Sequence, residues 1–329
     1  MHSGQQQFIN LIKEKKVLYI ATKNADYIRI VQEIKLLKEN ASHVRCIVSK
    51  NKSYIKRILH VYKELLFISS KEYDTIMVGF MSQMILPWWN FKFKRKTVIE
   101  DFFISIYDTL VDDRKKFKSN SLIGKLLHWM DRKAIKSAEY VITDTKAHRD
   151  YFKEEFQTKS QEYIPLYLHA DESIYYPMNI EKPEQWRDKF LVLYFGSILP
   201  LQGVDVILEA IDQLKEDKNI HFLMIGPIDE KYKKIQSGTV TYIDWLDQKE
   251  LAKYIAFSDL CLGGHFSDSI GKADRTIPGK VYIYEVMQKP MILGDSKANR
   301  ELFREDENHH FVKMGDPEKL AIEIKKGGK

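Results

Sequence analysis

Two kinds of segment alternate along the whole of this 329-residue chain. Short apolar runs rich in β-branched residues are each followed by a longer run whose apolar residues recur at helical spacing. Strands that alternate with helices in this way predict βαβ units and a parallel sheet. Because the alternation occurs in both halves, we expect an α/β protein of two doubly wound, Rossmann-like domains that face each other across a cleft. Ligands of such sheets bind outside the carboxyl ends of the strands.

The break between the halves is a segment rich in proline, tyrosine and charge, without a clear period. We therefore expect a first domain at 1–165, a linker at 166–186 and a second domain at 187–329. The expected strands are 17–21, 44–48, 75–78, 97–99, 140–143, 190–195, 221–225, 240–243, 260–262, 291–293 and 311–312. The expected helices are 27–38, 53–67, 122–138, 147–156, 204–214, 248–257, 280–287 and 317–325. In the helix at 53–67, the residues expected to face the core are Ile55, Ile58, Leu59, Tyr62 and Leu66.

Composition excludes several classes of protein. The chain is 44% hydrophobic and 30% charged, which is unlike collagen-like, low-complexity or disordered chains. Cys46 and Cys261 lie in separate apolar runs, and we expect buried free thiols of a reducing compartment. Apolar stretches fall short of the ~20 residues that cross a bilayer, and the start of the chain has no signal-peptide pattern. We therefore expect a soluble, intracellular protein.

The net charge of +6 is unevenly distributed. Residues 1–165 hold 30 Lys/Arg against 19 Asp/Glu, whereas residues 166–329 hold 22 against 27. A basic first half fits nucleic acid, anionic lipid or an acidic substrate, and it equally fits an ordinary solvated surface. No recognisable nucleic-acid-binding module accompanies the charge, so nucleic acid is the least favoured of these partners.

The segment 191–214 joins a buried strand to a helix through a loop that holds Gly196, Pro200 and Gly203. Small residues in such a loop let backbone N–H groups approach an anion, and the helix N-terminus adds a partial positive charge. A glycine after a strand is more often a simple turn, and the spacing is not the GxGxxG of a dinucleotide site.

The segment 275–295 places Pro278 and Gly279 before a helix that opens at Lys280. The Lys280 side chain and the first N–H groups of that helix are a candidate phosphate cradle. Glu285 follows where a carboxylate can accept hydrogen bonds from ribose hydroxyls. The alternative is a surface glutamate on an ordinary helix.

Together, these segments resemble a known family. YFGSILPLQGVDVILEAI resembles the start of the nucleotide-binding domain of the family 4 retaining glycosyltransferases (glycosyltransferase group 1), which have the GT-B fold. HFLMIGP and VTYIDWLDQKELAKYIAFSDLCLGG are similar to the next strand and to a helix–strand pair of that family. IPGKVYIYEVMQKPMILGDSKANREL is similar to its Pro-x-Lys-x-x-Glu helix and the following strand. The resemblance covers nearly all of 190–320 in the same order.

The first half is similar to a bacterial and archaeal, surface-glycan subgroup of the same family. The similar stretches are YDTIMVGF, KTVIEDFFISIYDTLVDDRKKF and LLHWMDRKAIKSAEYVITDTKAHRDYF. An Asp-x-Phe-x-Ser-x-Tyr-Asp segment lines the acceptor side of the cleft in that subgroup. The matching residues here are Asp101, Phe103, Ser105, Tyr107 and Asp108.

The resemblance implies a function and a set of site residues. The implied reaction is a retaining, metal-independent transfer of a sugar from a nucleotide diphosphate sugar to a glycan or lipid-linked acceptor, in cell-surface polysaccharide biosynthesis. The implied catalytic residues are Asp101 facing the sugar, Lys280 on the diphosphate and Glu285 on the ribose. The other implied donor contacts are Gly196, Ser197, Gln202, Gly203, Arg275, Gly279 and Val281, with Trp245 and Leu246 near the base. The donor is a substrate, so neither a cofactor nor a metal is expected.

Three positions depart from the family pattern. Ser197 and Gln202 stand where the family usually has an arginine and a lysine on the diphosphate, and Ile277 stands eight positions before Glu285 in place of a second glutamate. Our hypothesis is that Arg275 and Lys280 supply the missing positive charge. His265, after a glycine pair, either touches the donor or only packs.

A short stretch at 87–96 interleaves aromatic and cationic residues. These are Trp88, Trp89, Phe91 and Phe93 with Lys92, Lys94, Arg95 and Lys96. The pattern suits a membrane interface, single-stranded nucleic acid or a loop whose aromatic rings fold inward. Given the resemblance, we favour peripheral contact with the inner face of the plasma membrane.

Two other functions remain open at this point. The departures at Ser197, Gln202 and Ile277 fit a non-catalytic relative that binds a nucleotide sugar or partners another transferase. The same fold also accommodates a sugar-nucleotide epimerase, since function belongs to the site and not to the fold.

Overall fold

The structure, a computed structural model, describes residues 3–228, 235 and 237–328. The chain divides into two compact units, Met1–Leu168 and His169–Lys329. The division falls within the segment expected to be a linker. Each unit is built on one parallel sheet of six strands within the described residues.

In the first unit the strand order is β2-β1-β3-β4-β5-β6, and each neighbouring pair is parallel. The order reverses between β1 and β3. The strands are β1 (Lys16–Asn24), β2 (His43–Ser49), β3 (Thr75–Val78), β4 (Thr97–Asp101), β5 (Tyr140–Thr143) and β6 (Glu162–Pro165). The helices are α1 (Ser3–Ile12), α2 (Ile28–Asn40), α3 (Tyr54–Phe67), α4 (Leu86–Trp89), α5 (Leu122–Lys136) and α6 (Lys146–Glu155).

In the second unit the order is β12-β11-β10-β7-β8-β9, again with parallel neighbours. The strands are β7 (Phe190–Phe195), β8 (Ile220–Ile225), β9 (Val240–Ile243), β10 (Leu260–Gly264), β11 (Met291–Gly294) and β12 (His309–Val312). The helices are α7 (Val204–Leu214), α8 (Gln248–Phe257), α9 (Lys272–Arg275), α10 (Gly279–Val286), α11 (Asn299–Leu302) and α12 (Pro317–Gly327). The expected α/β architecture is confirmed.

The first sheet is covered on both faces because its strands are apolar on both sides. Successive side chains of a strand point to opposite faces. Leu18 and Ile20 of β1 belong to one core, with side chains of α3 and α5, whereas Val17 and Tyr19 belong to the other, with side chains of α1 and α2. The helices therefore form two layers, and α3 and α5 lie in the same one.

The expected inward face of α3 is wrong. Its buried residues are Arg57, Val61 and Leu65, whereas Ile55 and Leu59 are 70% and 62% exposed. The Arg57 guanidinium donates hydrogen bonds to the carbonyl oxygens of three residues, one within β1 and two in the loop before α3. These are Thr22 at 3.0 Å, Asn51 at 2.6 Å and Lys52 at 2.9 Å. Since these bonds satisfy the buried cation, α3 turns a mixed stripe inward and leaves an apolar stripe in water.

Strand β6 and helix α1 were not expected from the sequence, and neither were the four-residue helices α4, α9 and α11. Strand β6 pairs with β5, with Tyr163 opposite Val141, although its short run ends in a proline that indicates a linker. Helix α1 is rich in glutamine, and its large buried side chains are Phe8 and Ile12. Both β6 and α1 are stabilised by contact with the rest of the first sheet, and not by a strong local sequence preference.

Other sequence expectations concern cysteines and membrane spans. Cys46 and Cys261 are both free thiols; Cys261 is buried as expected, whereas Cys46 is only half-buried. Within the described residues, no helix combines the length and the apolar character that crossing a membrane requires.

Candidate functional site

The second sheet has its topological switch point between β7 and β10. The chain builds outwards from β7 through β8 to β9, and then returns to place β10 on the other side of β7. Loops that leave the carboxyl ends of two such strands diverge and leave a crevice, which is where ligands bind in open α/β sheets. Here the loops begin at Gly196, after β7, and at His265, after β10.

Two glycines allow the β7 loop to fold closely over this crevice. Gly196 has a φ of +140° and Gly203 a φ of +66°, both in the region that side chains disfavour. A Cβ atom on Gly203 would also lie 2.6 Å from the backbone of Phe266 and Ser267. The loop at 196–203 is therefore packed against the backbone that follows β10, and a larger residue at 203 would force the two apart.

Lys280 lies at the centre of the crevice, although it belongs to the first turn of α10. It is only 6% exposed. Its Nζ donates a hydrogen bond to Gln202 Oε1 at 2.8 Å and lies 3.8 Å from the centre of the Tyr194 ring. A Cβ on Gly196 would be 3.2 Å from the same Nζ. The structure thus brings together Gly196, Gln202 and Lys280, although the first and the last are 84 positions apart in the sequence.

Burial makes the Lys280 ammonium chemically unusual. It lowers the pKa of this group well below its ordinary value, because a low-dielectric surrounding disfavours the charged form. The contacts made by Nζ are a neutral amide oxygen and aromatic rings. An anion in contact with Nζ would offset the free energy lost when the ammonium is desolvated, so burial of Lys280 favours the binding of an anion.

The start of α10 adds backbone donors beside Lys280. Pro278 precedes the helix and makes no side-chain cap, and the first N–H groups of a helix have no partner inside it. The amides of Gly279 and Lys280 are the donors in question. The Val281 amide instead donates to Pro278 O at 3.0 Å, and its side chain is fully buried. The expected role of Val281 on the diphosphate is therefore replaced by packing.

Three further basic residues, one of them neutral, lie in the loop after β10 and in α9. His265 is 3% exposed, and burial, together with the charges of Lys280 and Lys272, lowers its pKa to about 3. It is therefore neutral, and its Nδ1 lies 3.4 Å from Thr276 Oγ1. Lys272 is buried and was not identified from the sequence, since a lysine on a short polar stretch carries no signal. Arg275, at the end of α9, is half-buried.

Three expected donor contacts lie at the rim of the same sheet edge. Ser197 is exposed next to Gly196, and Leu246 is half-buried. Trp245 is 75% exposed and follows the carboxyl end of β9, two strands from β7 and hence about 10 Å across the sheet. An exposed indole at this edge offers a stacking surface for a planar ring.

Glu285 does not join this site. It is exposed, and its Oε2 accepts a hydrogen bond from His309 Nε2 at 2.8 Å. His309 is the first residue of β12 and pairs with Met291, the first residue of β11, so Glu285 lies towards the amino ends of the strands. In the Pro-x-Lys-x-x-Glu pattern the position of the glutamate is occupied by Ile283, which is 8% exposed. The expectation that Glu285 binds a ribose conflicts with this geometry.

Replacing Glu285 with alanine is expected to leave the affinity for a nucleoside diphosphate unchanged within about twofold. The carboxylate lies at the wrong end of the sheet, and its contact with His309 is an exposed pair worth about 0–1 kcal/mol. Calorimetric titration of the variant and the wild type checks this. Glu250→Ala, an exposed glutamate on α8, serves as the matched control. A tenfold loss confined to Glu285→Ala would return this residue to the donor site.

In the first unit, Asp101 occupies the end of β4 but does not present a free carboxylate. It is 1% exposed, and it accepts hydrogen bonds from Arg29 Nη2 at 2.9 Å and from Arg29 Nε at 3.3 Å. Arg29 is fully buried and also lies 3.5 Å from Glu33. Burial and the neighbouring Asp101 charge raise the pKa of Glu33 well above its usual range. Asp101 is thus the counter-ion of a buried arginine, a role the sequence does not indicate.

The rest of the Asp-x-Phe-x-Ser-x-Tyr-Asp segment is organised by a residue outside it, Asp131 of α5. Asp131 accepts hydrogen bonds from Ser105 Oγ at 2.6 Å and from the amide of Tyr107 at 2.8 Å. Burial raises its pKa to about 7. The amide of Asp108 donates to Ser105 Oγ at 2.9 Å. Phe103 lies beside Arg29, 5.4 Å from its guanidinium.

His148 is a further buried polar residue that sequence reasoning missed. Its Nδ1 lies 2.7 Å from Asp144 Oδ1, and its Nε2 lies 3.9 Å from Asp108 Oδ2. Asp144 follows β5. Thr145 caps α6, since its side-chain oxygen accepts a hydrogen bond from the His148 amide. The signal available was an Asp-Thr pair after a strand, which predicts a helix start and says nothing about the partner Asp108.

In the part of the chain that the structure describes, no group of three or more His, Cys, Asp or Glu side chains is arranged to hold a metal ion. The acidic and histidine residues named above instead pair with arginine, hydroxyl and amide groups, or with one another in single pairs, as His148 does with Asp144 and His309 with Glu285.

Comparison with known proteins identifies the type of domain. Residues 189–326 match the family described as glycosyl transferases group 1. No curated protein sequence matches the chain. The second unit is therefore a glycosyltransferase group 1 domain, as its resemblance indicated.

Solved structures extend the comparison to both units. HepE (Alr3699) of Anabaena, solved in complex with UDP, has a TM-score of 0.69 and 14% identity, over 94% of this chain and 89% of that one. Sucrose-phosphate synthase of Thermosynechococcus elongatus has a TM-score of 0.67 and 10% identity, over 94% and 89%. A glycosyltransferase from Rickettsia africae ESF-5 has a TM-score of 0.61 and 13% identity, over 95% and 88%. Similarity at this level of identity shows the fold, which is that of the GT-B glycosyltransferases.

Proposed function

We propose that the protein is a glycosyltransferase whose donor is a nucleoside diphosphate sugar. The observation that carries the proposal is the buried Lys280 ammonium at the switch point, held by Gln202 against the Gly196 loop. A buried cation beside the first amides of a helix favours the binding of an anion, and burial shields that anion from solvent. The match of residues 189–326 to a glycosyltransferase family and the GT-B fold support the same conclusion, as do relatives of that fold solved with UDP and UDP-glucose.

In the proposed complex, the diphosphate lies against Lys280 Nζ and the amides of Gly279 and Lys280. As the bond between the anomeric carbon and the diphosphate oxygen breaks, the leaving group gains the electron pair, and these donors stabilise the new charge. The buried Lys272 and the half-buried Arg275 add positive charge near the β10 loop, which would make a metal unnecessary. Trp245 would stack on the base, with Leu246 and Ser197 beside the nucleoside.

We propose retention of the anomeric configuration. The acceptor hydroxyl attacks from the face that the diphosphate leaves, and its proton passes to a diphosphate oxygen. The acceptor in this proposal is a glycan or a lipid-linked sugar of a surface polysaccharide. A cytoplasmic site of action agrees with two free cysteines, since thiols persist in reducing compartments.

One set of residues favours a second candidate, a relative that binds the donor without turnover. Ser197 and Gln202 are neutral where the family has cations, and Ile283 is apolar where the helix motif has its glutamate. Lys280 compensates for the charge in our proposal, but nothing replaces the carboxylate at Ile283.

Two measurements on the purified full chain separate these functions. Calorimetric titration with UDP, GDP, dTDP, ADP and CMP is expected to show that one diphosphate binds well. The labelled sugar nucleotide of that base, incubated with bacterial membranes, is then expected to transfer its label to lipid or glycan. Label that stays on an unchanged donor supports the non-catalytic relative, and an isomerised donor supports an epimerase. No binding of any nucleotide contradicts the proposal.

A further inference from the structure

The exposed apolar side chains of this protein are concentrated on one surface. Within the described residues, 14 large hydrophobic side chains are exposed, and ten of them lie on α3, on α4 with the turn that follows it, or on α5. They are Ile55, Leu59, Leu66 and Phe67; Trp88 and Phe91; and Leu122, Ile123, Leu126 and Trp129. Patches of this kind on a protein surface mark interaction sites.

On each long helix the exposed residues form a stripe. Ile55, Leu59 and Leu66 recur at intervals of four and seven on α3, and Leu122, Leu126 and Trp129 at intervals of four and three on α5. These intervals place the residues on one side of a helix. The opposite sides of both helices are already buried against the sheet, so packing of the core does not account for the exposed apolar stripes.

Aromatic rings join the stripes into one surface. The Trp88 ring lies 5.8 Å from the Trp129 ring of α5, and the Trp89 ring lies 5.4 Å from Tyr62 of α3. Lys92 Nζ donates to the carbonyl oxygens of Leu65 and Leu66, which fixes the turn after α4 to the end of α3.

This surface, which we call the outer layer face, lies on one side of the first sheet. Val61 of α3, Leu86 of α4 and Ala134 of α5 all belong to the same core on that side. Helices α1 and α2 cover the other side. The exposed stripes therefore point away from the sheet in a common direction, as a flat partner requires.

The charge around the face selects the partner. Residues 50–67, 86–96 and 114–136 hold 17 Lys/Arg and two acidic residues, Glu64 and Asp131, and Asp131 is buried beneath the face. The cations at the rim include Lys56, Lys63, Lys94 and Lys125, all exposed. Like charges disfavour a second copy. Six of the ten exposed side chains are aliphatic, which suits the acyl-chain boundary of a bilayer better than a nucleic acid, whose bases stack on aromatic rings.

We propose that the outer layer face binds an anionic phospholipid bilayer. Leucine, isoleucine and tryptophan side chains enter the boundary between headgroups and acyl chains, and the surrounding lysines contact anionic headgroups, as in helices that lie in the plane of a membrane. The sequence pointed only to residues 88–96. The structure shows that exposed stripes of α3 and α5 belong to the same face, and that the face points away from the first sheet. The inference extends the proposed function by placing the enzyme at its lipid-linked acceptor, but it does not depend on catalysis.

Co-sedimentation of the full chain with vesicles tests the inference. Vesicles of phosphatidylcholine with one third phosphatidylglycerol are expected to bind the protein, and vesicles of phosphatidylcholine alone to bind it at least about tenfold more weakly. High salt is expected to weaken binding. Ile55→Ser with Leu59→Ser, and Lys56→Glu with Lys63→Glu, are each expected to lower the partition coefficient about tenfold or more. All four side chains are exposed, so the melting temperature stays unchanged.

Val31→Ser with Ile322→Ser is the matched control. These side chains are 46% and 51% exposed on α2 and α12, outside the face, and the control is expected to bind like the wild type. Equal loss in the control, or no preference for anionic vesicles, overturns the inference. So does a dimer in sedimentation velocity that the Ile55→Ser/Leu59→Ser variant abolishes. Nucleotide titration without vesicles reports on the donor site alone, so failure of one proposal is distinguishable from failure of the other.

Discussion

Replacing Lys280 with alanine is expected to weaken the binding of the nucleoside diphosphate about 10- to 100-fold. The ammonium donates the charged hydrogen bond of the site, and bonds of this type contribute about 1.5–3 kcal/mol. Its position against Gln202 and the Tyr194 ring is fixed, so the anion loses a preorganised partner. Calorimetric titration measures the effect. Lys313→Ala, an exposed lysine of the same unit, is the control and should bind normally.

The same lysine is expected to couple binding to protons. Burial lowers its pKa in the free protein, and a diphosphate beside it raises the pKa again. Above the folded-state pKa, binding therefore takes up a proton, and the apparent enthalpy varies with the ionisation enthalpy of the buffer. This dependence should vanish in Lys280→Met. If it persists there, another group titrates on binding and Lys280 is not the partner of the anion.

A substitution that removes the Lys280 ammonium is expected to weaken diphosphate binding but to raise the free energy of unfolding. Because the folded-state pKa is lower than the unfolded one, the unfolded chain binds more protons, and stability rises with pH between the two values. Lys280→Met removes the buried ammonium while keeping most of its volume. We expect this variant to melt at a higher temperature below the folded-state pKa, with a flatter dependence on pH. An unchanged pH dependence would contradict the assignment of a depressed pKa to Lys280.

The sequence predicts the sheets well because buried parallel strands are apolar on both sides. Runs such as Thr75–Val78 and Phe190–Phe195 appear with the expected ends, since a continuous run of this composition fits few other positions. The glycine loop after β7 was also found, because close backbone approach requires small residues. Strand β6 was missed, since only its partner β5 distinguishes it from a linker.

Residue roles were harder to predict because they depend on which side of an element faces the site. Helix α3 has one apolar stripe and one mixed stripe, and the mixed stripe faces inward because Arg57 donates to three backbone carbonyl groups there. Glu285 is two positions beyond Ile283, and two positions turn a helix by about 200°. A motif match that allows an offset of two residues therefore identifies the correct helix but assigns the wrong side of it to the site.

Asp101 shows the same limit at longer range. Its partner Arg29 is 72 positions away, and no spacing rule connects residues of different βαβ units. The structure also shows what the arginine organises. Arg29 Nη1 donates to Leu166 O at 2.6 Å, and Gln32 Nε2 donates to Tyr167 O at 2.7 Å. Helix α2 thereby holds the chain where it leaves β6, so the ion pair supports the end of the first unit.

Replacing Asp101 with alanine is expected to destabilise the first unit by about 3–5 kcal/mol, because removal of one partner leaves a buried charge without compensation. Arg29 is fully buried, and Glu33 is a poor substitute because its raised pKa favours the neutral form. For a unit of this size the melting transition should fall by about 2–4 °C for each kcal/mol. Differential scanning calorimetry of the full chain measures this change.

Two further variants separate the structural role of Asp101 from the catalytic role that the resemblance implied. The double variant Arg29→Met/Asp101→Leu removes both charges and should recover most of the lost stability, because a well-packed apolar pair replaces a buried ion pair at little cost. Asp150→Ala breaks an exposed pair with Arg149 and should cost at most about 1 kcal/mol. A purely catalytic Asp101 predicts the reverse: Asp101→Asn would lose turnover while its melting temperature stayed at the wild-type value. Since the carboxylate is enclosed by Arg29, we expect the loss of stability to come first and any loss of turnover to follow from it.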